Sequence, residues 1–498
     1  MVLEKLKEYK ETLHILQKYE HALALISFDL ETVAPHDAKE EQGDLYSYFS
    51  NEKFKLENSD RMKELVIYLH EHKDELSYLD AIMIEKKYDE YLKSKNITPE
   101  FEYKMSKIYM KSELDWEEAK NKNDFSIFKD SLESVINIQK EAINLRENKL
   151  PNMYDNMLDD CEKGVLSDTL DKFFKELKEG LLELLSKILS SKHKIRNDFL
   201  SRDVPIYKQE MFSKYLLELN GYDFNKGVLS TTEHPFTSCI AKNDARVTTH
   251  YYEDMVLSNI YSIIHEGGHA IFMQNEPQED HDHYINDEVT NGMHESVSRF
   301  YENVIGRSKE YISLIYPKFI EIFDEFKDVT EEELYEAVNI VQPSLIRTEA
   351  DEVTYGLHII IRYEMEKMMT DGKLKVEDAP AMWNKLYKEY LGVTPQNDAE
   401  GILQDVHWSG GFGYFPSYAL GNSYNAMYVR KLKEDIDFEK CIKDGDFKTI
   451  NNWMKEHVFK EANRFTPDNW IRSITGEGLT PKYFLEYLNN KYSKIYRF

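Results

Sequence analysis

Apolar positions recur every three or four residues along almost the whole chain, the period of an α-helix with one buried face. In MVLEKLKEYKETLHILQKYE, Leu3, Leu6, Leu13, Leu16 and Tyr19 fall at such steps or their multiples. The stretch LSDTLDKFFKELKEGLLELLSKIL reads as a long amphipathic helix, with Ser167 or Asp168 as its N-cap. LIRTEADEVTYGLHIIIRYEME reads as another, and sets Arg347, Asp351, Thr354 and His358 on one polar stripe facing a wet cleft or a polar network. Strand signals are few, and NDARVTTHYYED near 243–254 is the best of them. No Gly/Ser linker, low-complexity segment or repeat divides the chain. The expected architecture is therefore mostly α, a single domain over 1–498 with a small β element. Residues 1–200 form mainly amphipathic helices, and residues 201–498 carry the His-rich and Gly-rich clusters.

Composition narrows the setting. A hydrophobic share of 41% over 498 residues is ample for a large core. Asp and Glu exceed Lys and Arg by 28, which disfavours nucleic acid and anionic membrane as partners. Cys161, Cys239 and Cys441 are odd in number and far apart, so neither a disulfide framework nor a thiolate zinc site is expected. The N-terminus is charged throughout, without the apolar core of a signal peptide, and no apolar run reaches the length of a membrane span. The chain reads as cytoplasmic.

The chemistry concentrates in YSIIHEGGHAIF. His265 and His269 stand four apart, on one face of a helix, and can aim two imidazoles at one ion. Glu266 sits one step round, near enough to touch a bound water. Ile260, Ile263, Ile264, Ala270 and Ile271 make this helix apolar over most of its circumference, so it should be buried. A third ligand is offered by DEVTNGMHESVSRFYENVIG. There Val289, Met293, Val297, Phe300 and Val304 form the apolar stripe, and Glu295 points away from it, with Arg299 one turn later. Two histidines, one glutamate and an open fourth position suit Zn²⁺, one per chain, with Co²⁺ or Mn²⁺ also accepted. His281 and His283 in the connecting loop, and His294 beside Glu295, are rival ligands. The expected reaction is amide hydrolysis, with Glu266 taking a proton from the attacking water and passing it to the leaving amine.

Three further clusters are hard to explain as core: His234-Pro235-Phe236; Asp244, Arg246 and Thr248 in alternation; and Gln404, Asp405, His407 and Trp408 ahead of a loop rich in glycine and tyrosine. Together with HExxH, His294-Glu295-Ser296 and the stretch Ile346 to Asp351, they form an ordered set. The sequence resembles the carboxypeptidase Taq family of zinc metallocarboxypeptidases, whose motifs are HPF, DxRxT, HExxH, HES, IRxxAD and GxxQDxHW. SFDLETVAPHDA also resembles that family's WDxxTxMPxxA region, with Phe28 in place of Trp and Ala34 in place of Met. The resemblance spans roughly residues 20 to 490. It implies a helical fold with a deep central cleft, a homodimer, and release of single amino acids from peptides with a free C-terminus. It also implies metal binding by His265, His269 and Glu295, and catalysis by Glu266.

A carboxypeptidase must hold a terminal carboxylate, and an arginine fork does this best. Arg347 and Arg246 compete for that role, Arg347 being favoured. Tyr418, Tyr414 and His407 are candidate oxyanion donors, and His234 a candidate for binding the substrate backbone. The glycines at 410, 411, 413 and 421 would let this loop move or approach substrate closely. The rival readings are a zinc oligopeptidase or endopeptidase, which needs no carboxylate anchor, and a non-catalytic helical peptide-binding protein.

Overall fold

The first helix of the computed structural model, which describes residues 1–286 and 289–498, runs from Val2 to Thr32 and buries Leu6, Leu13 and Leu16. Leu3 falls off that face and stays 70% exposed. The buried stripe meets Leu65 and Leu69 of the helix Asp60–Glu71 and Met83 and Ile84 of the helix Tyr78–Ser94, making a small separate core. Lys39–Glu57 lies along the first helix, yet none of its residues is fully buried. From Ala119 onward the chain builds one much larger core that reaches Tyr496.

Helix starts follow local chemistry. Ser59, Ser77, Thr98 and Asp124 each accept an N–H of the first turn that follows them. The long helix Ser167–Leu189 differs from expectation. Its cap position falls on Leu166, and the Ser167 N–H is accepted instead by Asp155 Oδ1 at 2.8 Å, from the preceding helix Met153–Cys161. Neither Ser167 nor Asp168 is the cap.

The β element is a three-stranded sheet of β1 (Leu229–Thr231), β2 (Thr237–Ala241) and β3 (Asp244–Thr249), in the order β1-β3-β2. β1 runs parallel to β3, with Ser230 opposite Thr248, and β2 runs antiparallel, with Thr237 opposite Val247. The strand expected over 243–254 thus ends at Thr249. Ala245 and Val247 turn into the large core, and the sheet packs on the helix Val256–Asn275.

The expected helix from Leu345 is the main correction. Arg347–Glu349 is an isolated 3₁₀ turn, and the helix proper is Tyr355–Thr370. Asp351 Oδ1 accepts the N–H groups of Val353 and Thr354, both at 2.9 Å, while Oδ2 accepts the Thr354 hydroxyl at 2.7 Å. A side chain so placed holds the backbone out of helix and starts one four residues on, at Tyr355. The polar stripe from Arg347 to His358 therefore does not form. His358 is fully buried and bonded to Tyr387 Oη at 2.9 Å.

Candidate metal centre

Val256–Asn275, the histidine helix, carries His265, Glu266 and His269. Asn291–Arg299, the glutamate helix, carries His294 and Glu295 and continues as a π-helical turn, Phe300–Ile305. Gly268 brings the two together. A Cβ there would lie 2.9 Å from Ser298 Cα and 3.1 Å from Tyr301 Cδ2, so any larger residue would push the glutamate helix away. A third helix, Pro416–Asp435, closes on the other side, where a Cβ on Gly421 would lie 2.9 Å from Glu295 Cγ. Gly421 is thus helical, and its lack of side chain serves Glu295 rather than loop motion. Gly413 similarly serves packing, since a Cβ there would collide with the Met157 carbonyl.

The donor atoms of His265, His269 and Glu295 lie within 4.8 Å of one another. Glu295 Oε2 is 3.7 Å from His265 Nε2 and 3.6 Å from His269 Nε2. The outer nitrogens are occupied, which fixes which nitrogen faces inward. His265 Nδ1–H donates to Glu302 Oε2 at 2.9 Å. His269 Nδ1 bonds His294 Nδ1. With Nε2 of His269 turned inward as a lone pair, its Nδ1 carries the proton and His294 accepts. Burial and the neighbouring His269 hold His294 well below the usual imidazole range, so it is neutral and fit to accept. His294 therefore stands behind His269 rather than in place of Glu295. His281 and His283 are elsewhere, against Glu276 and Asp80.

The electrostatics favour a cation. Burial opposes a charge on His265, yet Glu295, Glu266 and Glu302 outweigh it and push the imidazole up to about 9. Burial also opposes the charge on Glu295, but Arg299, His265 and His269 keep it ionised. Arg299 joins Glu295 Oε1 at 2.7 Å to Glu302 Oε2 at 3.0 Å, with its guanidinium 4.4 Å from the Tyr355 ring centre. Two imidazoles and a carboxylate, in a pocket so drawn to positive charge that it raises the affinity of His265 for a proton, fit Zn²⁺ or a similar divalent ion taking that proton's place. Glu266 is oriented by β2: Thr237 Oγ1 donates to it, 2.7 Å from Oε2 and 2.9 Å from the carbonyl oxygen.

His265, Glu266, Glu295, Arg299 and Glu302 share a cavity of about 600 Å³ with Arg347, Tyr355, Tyr418 and Pro235. Arg347 donates to Asp405 Oδ1 through Nε at 3.0 Å and Nη2 at 2.8 Å, and to Tyr355 Oη through Nη1 at 3.3 Å. That leaves two of its five N–H groups for another acceptor. Asp405 is also bound by Arg362 Nε at 2.7 Å. Arg246, His234, His407 and Tyr414 lie outside this lining. Arg246 forms a two-bonded pair with Asp244 at 2.9 and 2.7 Å, over the Phe28 ring. His234 is exposed beside Pro235. His407 Nε2 bonds Tyr418 Oη at 3.2 Å, and the ring of Tyr414 packs 5.3 Å from that of Tyr418. Burial and the nearby arginines lower His407 to about 4 against the pull of Asp405, so it is neutral at pH 7.

Sequence reasoning missed Glu302, Thr237 and Tyr355. Glu302 follows Glu295 by seven residues, two helical turns along the same face, and that spacing was the available signal. Tyr355 was hidden by the misread helix start. Nothing in the sequence marked Thr237.

A helical fold with two helices converging a histidine pair and a glutamate under a cavity defines a metallopeptidase, and the chain belongs to the carboxypeptidase Taq (M32) metallopeptidase family, whose model matches residues 8–492. It is a metallocarboxypeptidase. Among curated relatives, carboxypeptidase 1 of Bacillus subtilis is 42% identical over 98% of each chain. Thermostable carboxypeptidase 1 of Thermus thermophilus is 38% identical over 82% of each. The crystal structure of an M32 carboxypeptidase from Deinococcus radiodurans superposes with a TM-score of 0.95 at 30% identity, over 99% of this chain and all of that one.

Proposed function

We propose that His265, His269 and Glu295 hold one Zn²⁺ per chain and that Glu266 is the general base of C-terminal peptide hydrolysis. The observation that carries this is the convergence of two Nε2 atoms and Glu295 Oε2 at one point, with His265, Glu266 and Glu295 lining one cavity with Arg347. When bound, such an ion supplies Lewis acidity toward water and the scissile carbonyl. Glu266, held by Thr237, takes a proton from the attacking water and delivers it to the leaving amine. Arg347, backed by Asp405, receives the substrate's terminal carboxylate on its free N–H groups. Of the three oxyanion-donor candidates, Tyr418 is the one in the cavity, and His407 orients its hydroxyl. Water adds across the last peptide bond, giving a shortened peptide and one free amino acid.

In this reading 1–498 is one catalytic domain whose first 200 residues cover the cleft, and the protein works as a cytoplasmic homodimer on peptides. Its acidic charge supports the location, as does the finding that no helix among the described residues is long and apolar enough to cross a membrane. The family motifs support the homodimer. Incubation with short peptides, free and C-terminally amidated, tests the activity by mass spectrometry. The expected result is stepwise loss of single C-terminal residues from the free peptides only, abolished by chelator. Arg347→Ala should lower kcat/KM for free peptides by roughly 10–100-fold, the worth of lost charge-assisted bonds. Equal cleavage of amidated peptides would overturn the assignment of Arg347.

A further inference from the structure

The helix Met153–Cys161 ends beside Glu162, which is fully buried. Its carboxylate reaches across to the first turn of the glutamate helix. The Gly292 N–H donates to Oε1, and the Thr290 hydroxyl donates to Oε2 at 2.8 Å. Thr290 stands at the N-cap position, but its own side chain caps nothing. The cap oxygen comes instead from a residue 128 positions earlier.

Two further features fit this arrangement. A Cβ on Gly292 would lie 2.8 Å from Glu162 Oε1, so only glycine lets the carboxylate reach that backbone N–H. These bonding partners are neutral, so the charge of Glu162 is met by hydrogen bonds and by the positive end of the helix dipole. Burial pushes its pKa up to about 7, against the pull of the groups that bond it. A buried carboxylate is costly to keep, and this one is spent on a helix of nine residues whose far end opens into a π turn. Gly268 and Gly421 set how close that helix lies to its neighbours, but neither fixes its first turn.

We propose that Glu162 is a positioning residue for the metal centre: by capping the glutamate helix from the N-terminal part of the chain, it sets where Glu295 stands relative to His265 and His269. The proposal rests on the reading that these three residues hold the metal. Glu295 is in the second turn, three residues beyond Gly292, and an uncapped first turn frays. Fraying there would move the ligand without touching Glu266 or Arg347.

The test measures Zn²⁺ affinity by competition with a chromogenic chelator, and kcat and KM on a blocked dipeptide with a free C-terminus, for the full chain and for E162A, E162Q and T290V. Melting temperature is followed with metal saturating. The expected result is a metal Kd raised about tenfold in E162A, with kcat lowered and KM within about twofold of wild type. E162Q, whose amide oxygen still accepts from Gly292, and T290V, which loses one donor, should show the same change to a smaller degree. Lower melting temperatures with metal Kd and kcat within about twofold of wild type would overturn the proposal, reducing Glu162 to a stabilising contact. If E162A does not fold, E162Q and T290V decide by the same criterion. Glu295→Ala, run alongside, separates the two readings: wild-type metal affinity in that variant means the ligand assignment itself has failed.

Discussion

The histidine helix runs for 20 residues and buries Ile260, Ile263, Ile264, Ala270 and Ile271 along its length. The glutamate helix runs for nine before it opens into a π turn, and its polar groups are tied to other segments or to one another. His294 supports His269, Glu302 supports His265, Arg299 braces both glutamates, and Glu162 caps the start. Both helices are packed in the core, but the histidine helix is tied near its ends, through Asn259 and Gln274, whereas the bonds of the glutamate helix cluster around the donor atoms. The difference shows how a single site divides its needs. In the proposed site the histidine helix supplies two donors at a fixed spacing, and the glutamate helix supplies the third donor and the groups that orient the first two.

Substitutions can break or sharpen this contrast. The largest effect is expected at Glu266, which belongs to the histidine helix but lies outside the proposed ligand set. Glu266→Gln should lower kcat by on the order of 10²–10⁴ while metal content stays at wild type. Loss of metal in that variant would mean that the residue supports the site rather than the proton transfer. Next comes Glu302→Gln on the glutamate side, which leaves His265 with a poorer acceptor. Metal affinity or activity should fall by about 10–100-fold, and an unchanged chelator competition curve would remove Glu302 from the site. The smallest effect is expected at Gly268→Ala. Alanine is a better helix former by about 1 kcal/mol, yet its Cβ meets Ser298 Cα at 2.9 Å. Forced overpacking costs about 1–3 kcal/mol, so thermal denaturation should show a net loss of stability. A rise in melting temperature would show that the two helices have room to spare.

The same contrast explains what the sequence reveals. The histidine helix announces itself, because its two histidines sit four apart on one continuous apolar pattern. The helical class and the small sheet are legible from residue periodicity, and the structure brings Glu295 to the two histidines of HExxH. The helix start at Tyr355 was not, because Asp351 turns its side chain onto its own backbone and overrides a convincing helical period. The start of the long helix at Ser167 differs from local pattern for a related reason: the acceptor of its N–H, Asp155, lies in the preceding helix. Of the substrate-binding candidates, Arg246 carries a motif as conspicuous as that of Arg347. Its pairing with Asp244 over Phe28, outside the cavity, emerges only in three dimensions. Residues that bond a distant segment leave little trace in local pattern, as Glu162 and Thr237 show.

The central claim is that the glutamate helix completes the metal site. Elemental analysis of purified wild-type protein and Glu295→Ala, paired with chelator-sensitive hydrolysis of a free C-terminal peptide, tests it most directly. The expected result is about one Zn²⁺ per chain in the wild type, and less than about a tenth of that in the variant, with hydrolysis lost in parallel. A Glu295→Ala protein that keeps a full metal complement and cleaves at the wild-type rate would contradict it.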